Sequence, residues 1–115
     1  MKIDSSSSCG ISLIPTSILK NSAIILAPIL TSIFNCCLDQ DKVPNEFKIA
    51  IVFPLFKKGD NTVCDNYRGI SVLSPIAKLF ERILSNLITK YFVESELFSN
   101  AQHGFRANFS CETAL

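Results

Sequence analysis

Apolar side chains at Ile25, Leu26, Ile29, Leu30, Ile33, Phe34, Cys37 and Leu38 recur three or four residues apart, with Thr31, Ser32 and Asn35 left on the other side. That is the period of an amphipathic helix, bent at Pro28, whose ring removes a backbone donor. Asp39-Gln40-Asp41-Lys42 ends the pattern as a solvated turn, and Pro44 fixes the turn that follows. Over residues 48–56 the period changes. Ile49, Ile51, Phe53 and Leu55 alternate with Ala50, Val52, Pro54 and Phe56, so both sides are apolar, as in a strand covered on both faces. Pro54 puts this strand at an edge or a bulge. The polar stretch 57–66 returns the chain into a second strand over 68–73, pairing antiparallel with the first.

Ser74 followed by Pro75 reads as an N-cap with proline at the first helical position. Ile76, Leu79, Phe80, Ile83, Leu84, Leu87, Ile88 and Tyr91 then form one helical stripe. A turn over 94–98 and a polar break at Ser99 and Asn100 precede an extended or looped segment, 102–107. Ser110 is placed as another N-cap, with Glu112 in the first turn. A helix begun there has one turn by Leu115, and one turn is costly to nucleate alone, so the sequence is expected to be cut at its C-terminus. At the other end the serines 5–8 read as part of a flexible leader, residues 1–13. The expectation is an α+β arrangement: helices around a short antiparallel β-hairpin, without a complete core of its own.

With 115 residues and 48% hydrophobic content the chain has the material of one small domain. Eleven basic against ten acidic residues leave +1, which does not by itself argue for tight nucleic-acid binding. The cations are unevenly placed: Lys48, Lys57, Lys58 and Arg68 surround the hairpin, against Asp60 and Asp65 in its loop. From the residues alone this is most simply a solvated hairpin tip. Lysine supplies point charge and arginine a fork of donors, so such a tip also suits a triphosphate or a nucleic-acid backbone.

Five cysteines without a Cys-x-x-Cys pair, and a single histidine, His103, support neither a zinc site nor a disulfide framework. Cys36 and Cys37 read as small core residues, which suits a reducing compartment, nucleus or cytoplasm. The first ten residues lack the apolar core of a signal peptide. The apolar stretch 23–38 is short against the roughly 20 residues of a bilayer span, so it reads as a buried helix and no membrane partner is expected.

Five separate words then point to one family. Pro44 with Phe47-Lys48 resembles Pro-x-x-Trp-Lys; Pro54-Leu55-Phe56-Lys57-Lys58-Gly59-Asp60 resembles Pro-x-x-Lys-Lys-Gly-Asp. Asn66-Tyr67-Arg68-Gly69-Ile70-Ser71 follows, and Ser74-Pro75-Ile76-Ala77-Lys78-Leu79-Phe80-Glu81 resembles a Ser-x-x-x-Lys-x-x-Glu helix start. Gln102-His103-Gly104-Phe105-Arg106, with Ser110 and Ala114, completes the order. In this order, over nearly the whole chain, the words resemble the reverse transcriptases (RNA-directed DNA polymerases) of non-LTR retrotransposons.

The resemblance implies that residues 14–115 are a partial reverse transcriptase domain, the fingers of a right-hand fold with the palm missing. It implies an intact parent that copies an RNA template onto a DNA primer from deoxynucleotide triphosphates, using carboxylate-held Mg²⁺. This chain has no Asp-Asp pair, so no catalytic or metal residue is assigned, no cofactor is expected in the fragment, and the piece alone is expected to be inactive. By resemblance Arg68 and one of Lys57 or Lys58 contact the nucleotide triphosphate, while Gln102, Phe105 and Arg106 lie near the template. Three positions depart from the family's words: Gly69 stands where proline is common, Phe47 where tryptophan is usual, and Cys111 in place of a common threonine. A non-catalytic nucleic-acid-binding module derived from such a polymerase is the alternative. A helical interaction protein unrelated to polymerases ranks last, since it leaves the motif order unexplained.

Overall fold

Ser22 ends one helix and opens the next: its N–H donates to Ile18 O at 3.0 Å, and its carbonyl accepts from Leu26 N at 2.9 Å. This junction lies near the start of a computed structural model that describes residues 14–114; the leader expected over 1–13 and the last residue lie outside the described residues. Contacts divide the chain into two units, one up to Glu81 and one from Arg82 onward.

In the first unit α1 (Thr16–Asn21) and α2 (Ala23–Asp39) lead through a 3₁₀ turn, Asn45–Lys48, to β1 (Ala50–Phe56). A loop containing the 3₁₀ turn Cys64–Asn66 precedes β2 (Tyr67–Leu73), and α3 (Pro75–Glu94) begins directly after it. The result is a mixed helix and two-stranded antiparallel arrangement, as the hydrophobic pattern predicts. Among the described residues no helix is long and apolar enough to cross a membrane.

Only part of the apolar face of α2 is used. Phe34 and Cys37 are buried and Leu26 and Leu30 half-buried, whereas Ile25, Ile29, Ile33 and Leu38 are exposed. Cys36 is exposed as well, correcting its reading as a core residue. Neighbouring residues on a helix point about 100° apart, so the side that buries Cys37 turns Cys36 away. Thr31 Oγ1 reaches back one turn to Ala27 O at 2.8 Å, beside the interruption that Pro28 makes in the ladder.

The core is aromatic. Phe34 of α2, Phe47 of the 3₁₀ turn and Phe80 of α3 meet pairwise, with ring centroids 6.3 Å (Phe34–Phe47), 5.0 Å (Phe34–Phe80) and 5.8 Å (Phe47–Phe80) apart in edge-on and tilted pairs. Such geometry suits the ring quadrupole and adds about 0.5–1.5 kcal/mol per pair to the burial itself. Phe34 and Phe80 are 5% and 3% exposed. Phe47, standing where the family has tryptophan, thus fills the aromatic position without an indole N–H to satisfy.

Both helices of more than three turns close in the same way. At the end of α2, Lys42 N donates to Cys37 O and Asp41 N to Leu38 O, with Asp41 at a φ of 51°. At the end of α3, Leu97 N donates to Phe92 O and Glu96 N to Val93 O, with Glu96 at a φ of 53°. This paired bonding is the Schellman closure, usually built on glycine; here an acidic residue occupies the left-handed position each time.

β1 and β2 pair in continuous register from Ala50↔Leu73 to Phe56↔Tyr67, Pro54 facing Gly69 without a bulge. In a two-stranded sheet both strands are edges, which is why Pro54 is tolerated. Two expectations are corrected. The first strand starts at Ala50 because residues 45–48 wind into the 3₁₀ turn, Phe47 N donating to Pro44 O. It is also open on both faces: Val52 is 61% and Leu55 54% exposed, because the two layers that its double-sided apolar pattern calls for are not supplied by the described residues.

The start of α3 matches its signal. Ser74 Oγ accepts the Ala77 N–H at 3.3 Å, and Pro75 and Ala77 are buried. In the second unit the stripe continues through Leu87, Ile88 and Tyr91, all exposed, with an exposed Lys90–Glu94 pair at 3.7 Å on the same helix. Within α3 Tyr91 meets Phe92 at 6.2 Å; from there on the chain folds around rings, Phe92 meeting Phe98 at 5.4 Å and His103 meeting Phe109 at 5.3 Å. The expected Ser110 cap is present, accepting from Glu112 N at 3.2 Å. What it starts over Glu112–Ala114 is a 3₁₀ turn.

Candidate functional site

The hairpin loop is built from its own polar groups. Lys57 N donates to Asn66 O at 2.8 Å, extending the strand register by one pair. Asp60 Oδ1 accepts from both the N–H and the hydroxyl of Thr62, at 2.8 and 2.7 Å. Those two bonds, the backbone one first, hold the Asp60 carboxyl below its ordinary pKa. Asn66 Nδ2 donates to Asp60 O at 2.7 Å, and the Tyr67 hydroxyl to Asn61 O at 2.8 Å. The Tyr67 ring packs on Phe56 with centroids 5.4 Å apart. The side-chain amide of Asn66 therefore satisfies a backbone carbonyl of the loop.

Three of the four cations around the hairpin, Lys57, Lys58 and Arg68, meet this loop differently. Lys57 Nζ donates to Asp65 O at 3.1 Å, closing the loop from inside. Lys58 and Arg68 are exposed and make no hydrogen bond or ion pair among the described residues. Arg68 stands opposite Leu55, and strand alternation puts it on the side of Phe53 and Ile70. Gly69 lies beneath Val52: a Cβ there would come within 3.2 Å of Val52 Cγ1.

Gln102 and Arg106 meet in the second unit, while Phe105 stands between them in the chain with its ring exposed. Gln102 Nε2 donates to Gly104 O at 2.9 Å. Arg106 Nη1 donates to Ser99 O at 3.2 Å and to Gln102 O at 3.1 Å. Its guanidinium carbon lies 4.9 Å from the Phe98 ring centroid and 4.0 Å from that of Phe109. Phe105 has a φ of 62° and a fully exposed ring. Sequence reasoning placed this motif but missed the partners of Arg106, since Phe98 and Phe109 lie outside it; their one signal was aromatic residues on both sides of the word.

Among the described residues no group of three or more His, Cys, Asp or Glu side chains could hold a metal ion. The carboxylates of the described residues are not gathered to fit a pair of Mg²⁺ ions, and Asp60 already accepts two hydrogen bonds.

Helices, a two-stranded antiparallel hairpin bearing exposed cations and an aromatic loop define an α+β segment. Over 82 residues, 70% of its length, the chain is 32% identical to a probable RNA-directed DNA polymerase from transposon BS of Drosophila melanogaster. Over 95 residues, 77% of its length, it is 32% identical to the RNA-directed DNA polymerase from mobile element jockey of the same species. The matches span 9% and 10% of those two relatives, so the chain corresponds to about a tenth of their length. No protein-family model matches it, and no solved structure matches it. The chain belongs to the family of non-LTR retrotransposon RNA-directed DNA polymerases.

Proposed function

We propose that the chain is part of the fingers of a retrotransposon reverse transcriptase and that its hairpin grips the triphosphate of an incoming deoxynucleotide. The observation that carries this reading is the contrast within the loop. Asp60, Thr62, Asn66 and Lys57 are bonded to one another or to loop carbonyls, while Lys58 and Arg68 carry unshared charge beside them. A loop ordered before binding loses little entropy on binding, and cations aimed at phosphates stabilise the charge that builds during transfer. Lys58 and Arg68 are then the primary phosphate contacts; Lys57 supports the loop and can exchange its carbonyl for a phosphate oxygen. Gln102 and Phe105 serve the template side. The parent enzyme pairs an RNA template with a DNA primer and draws its Mg²⁺-binding carboxylates from other segments, so the 115-residue chain alone adds no nucleotides. The apolar faces of β1, β2 and the second half of α3 are surfaces for those segments.

Titrating the 115-residue chain with a deoxynucleoside triphosphate tests the grip. The expected result is saturable, salt-sensitive binding that weakens about tenfold or more for Arg68→Gln and for Lys58→Gln, the scale of one charge-assisted hydrogen bond. A flat titration, or one indifferent to both substitutions, removes the reading. Primer extension with added Mg²⁺ should give no product from the chain alone.

A further inference from the structure

Phe105 stands between two pinned neighbours. On one side the Gln102 side chain holds Gly104 O at 2.9 Å. On the other, Arg106 is tied through Nη1 to two carbonyls of its own loop, with the rings of Phe98 and Phe109 against its guanidinium. Between them Phe105 takes a left-handed φ of 62° and places its whole ring in solvent. A bulky residue at positive φ persists only where its surroundings over-determine it, and an exposed phenyl gains nothing from the apolar packing that normally rewards one.

Resting on the nucleic-acid reading above, we infer that Arg106 is a positioning residue: its guanidinium is the internal clasp that holds Phe105 out to stack on an unpaired base. Arg106 makes no phosphate contact itself. Nη1 donates to Ser99 O and Gln102 O, so this edge of the guanidinium is spent on its own loop while Nε and Nη2 stay open among the described residues, and a planar cation against aromatic rings is worth most when it stays there. Lysine cannot replace it, because an ammonium lacks the flat surface and the fork. The ligand class is single-stranded nucleic acid read through a base face, which every base offers, so sequence preference is weak.

The test is a double-mutant cycle on the 115-residue chain, with a short fluorescent uridine oligonucleotide titrated at several salt concentrations. Phe105→Ala should weaken binding about tenfold, the scale of one base–aromatic stack, and Phe105→Trp should keep it. Arg106→Gln should weaken binding to a similar degree with an unchanged salt slope, and should have no further effect in the Phe105→Ala background. Its guanidinium protons should also resonate upfield, shielded by the two rings, with or without oligonucleotide. If Arg106→Gln lowers the salt slope by about 0.7, the signature of one lost phosphate contact to a single strand, and its effect persists without Phe105, the clasp is overturned. If Phe105→Ala is silent while Lys58→Gln and Arg68→Gln still weaken binding, the inference fails and the nucleic-acid reading stands; a wild-type chain that binds no oligonucleotide overturns both.

Discussion

Asn66 closes over Gly59 so tightly that a Cβ added at Gly59 would stand 2.9 Å from Asn66 Nδ2. That nitrogen donates to Asp60 O at 2.7 Å, so the clash falls on a bond that shapes the loop. Gly59 also has a φ of 95°, outside the region side chains accept. Gly59→Ala is therefore expected to cost about 1–3 kcal/mol, the range for strained backbone. Asn66→Ala costs less in that background than in wild type, since the crowded bond is already broken. Urea denaturation of the four chains measures both, and additive effects would disprove the coupling.

How far the fold was legible depends on whether a signal was local. The Ser74-Pro75 start of α3 and the antiparallel hairpin were readable because capping and alternation are written in adjacent residues. The width of the buried face on α2 was not: Ile25, Ile29 and Ile33 satisfy the helical period as well as Leu26, Leu30 and Phe34 do, and only tertiary packing, such as that of Phe34 on Phe47 and Phe80, chooses between them. In the candidate site the cations were visible as residue types, but the different engagement of Lys57 and Lys58 was not, because it depends on where the Asp65 carbonyl falls. Arg106 shows the same gap, its two rings lying outside the motif that named it.

The helix ends hold stability that the sequence hides. Asp41 and Glu96 occupy left-handed positions where glycine is usual, and both are acidic beside a helix C-terminus, where the dipole disfavours negative charge. Replacing either with glycine removes a Cβ penalty of about 1–2 kcal/mol against an entropic cost of about 0.5–1 kcal/mol. Asp41→Gly and Glu96→Gly should each raise stability by up to about 1 kcal/mol and leave oligonucleotide binding unchanged. Chemical denaturation reads the gain; a loss in either variant would mean that the acid makes a favourable contact.

The carboxyl of Asp60 makes the hairpin acid-sensitive. Its pKa is lowered, first by the Thr62 N–H and then by the Thr62 hydroxyl, against a small opposing effect of desolvation. A depressed folded-state pKa contributes stability that is present above the unfolded-state value and is lost as pH falls through the folded one. The loop should thus be fully ordered at neutral pH and loosen in the acid range, below where an ordinary aspartate takes up its proton. Following the Thr62 amide and the Asp60 carboxyl by NMR across that range should show both moving together. Thr62→Val removes the hydroxyl bond and keeps the backbone one, so the Asp60 midpoint should rise part of the way toward that of a free aspartate. Asp60→Asn should abolish the transition at the Thr62 amide, and its survival would place the acid sensitivity elsewhere in the loop.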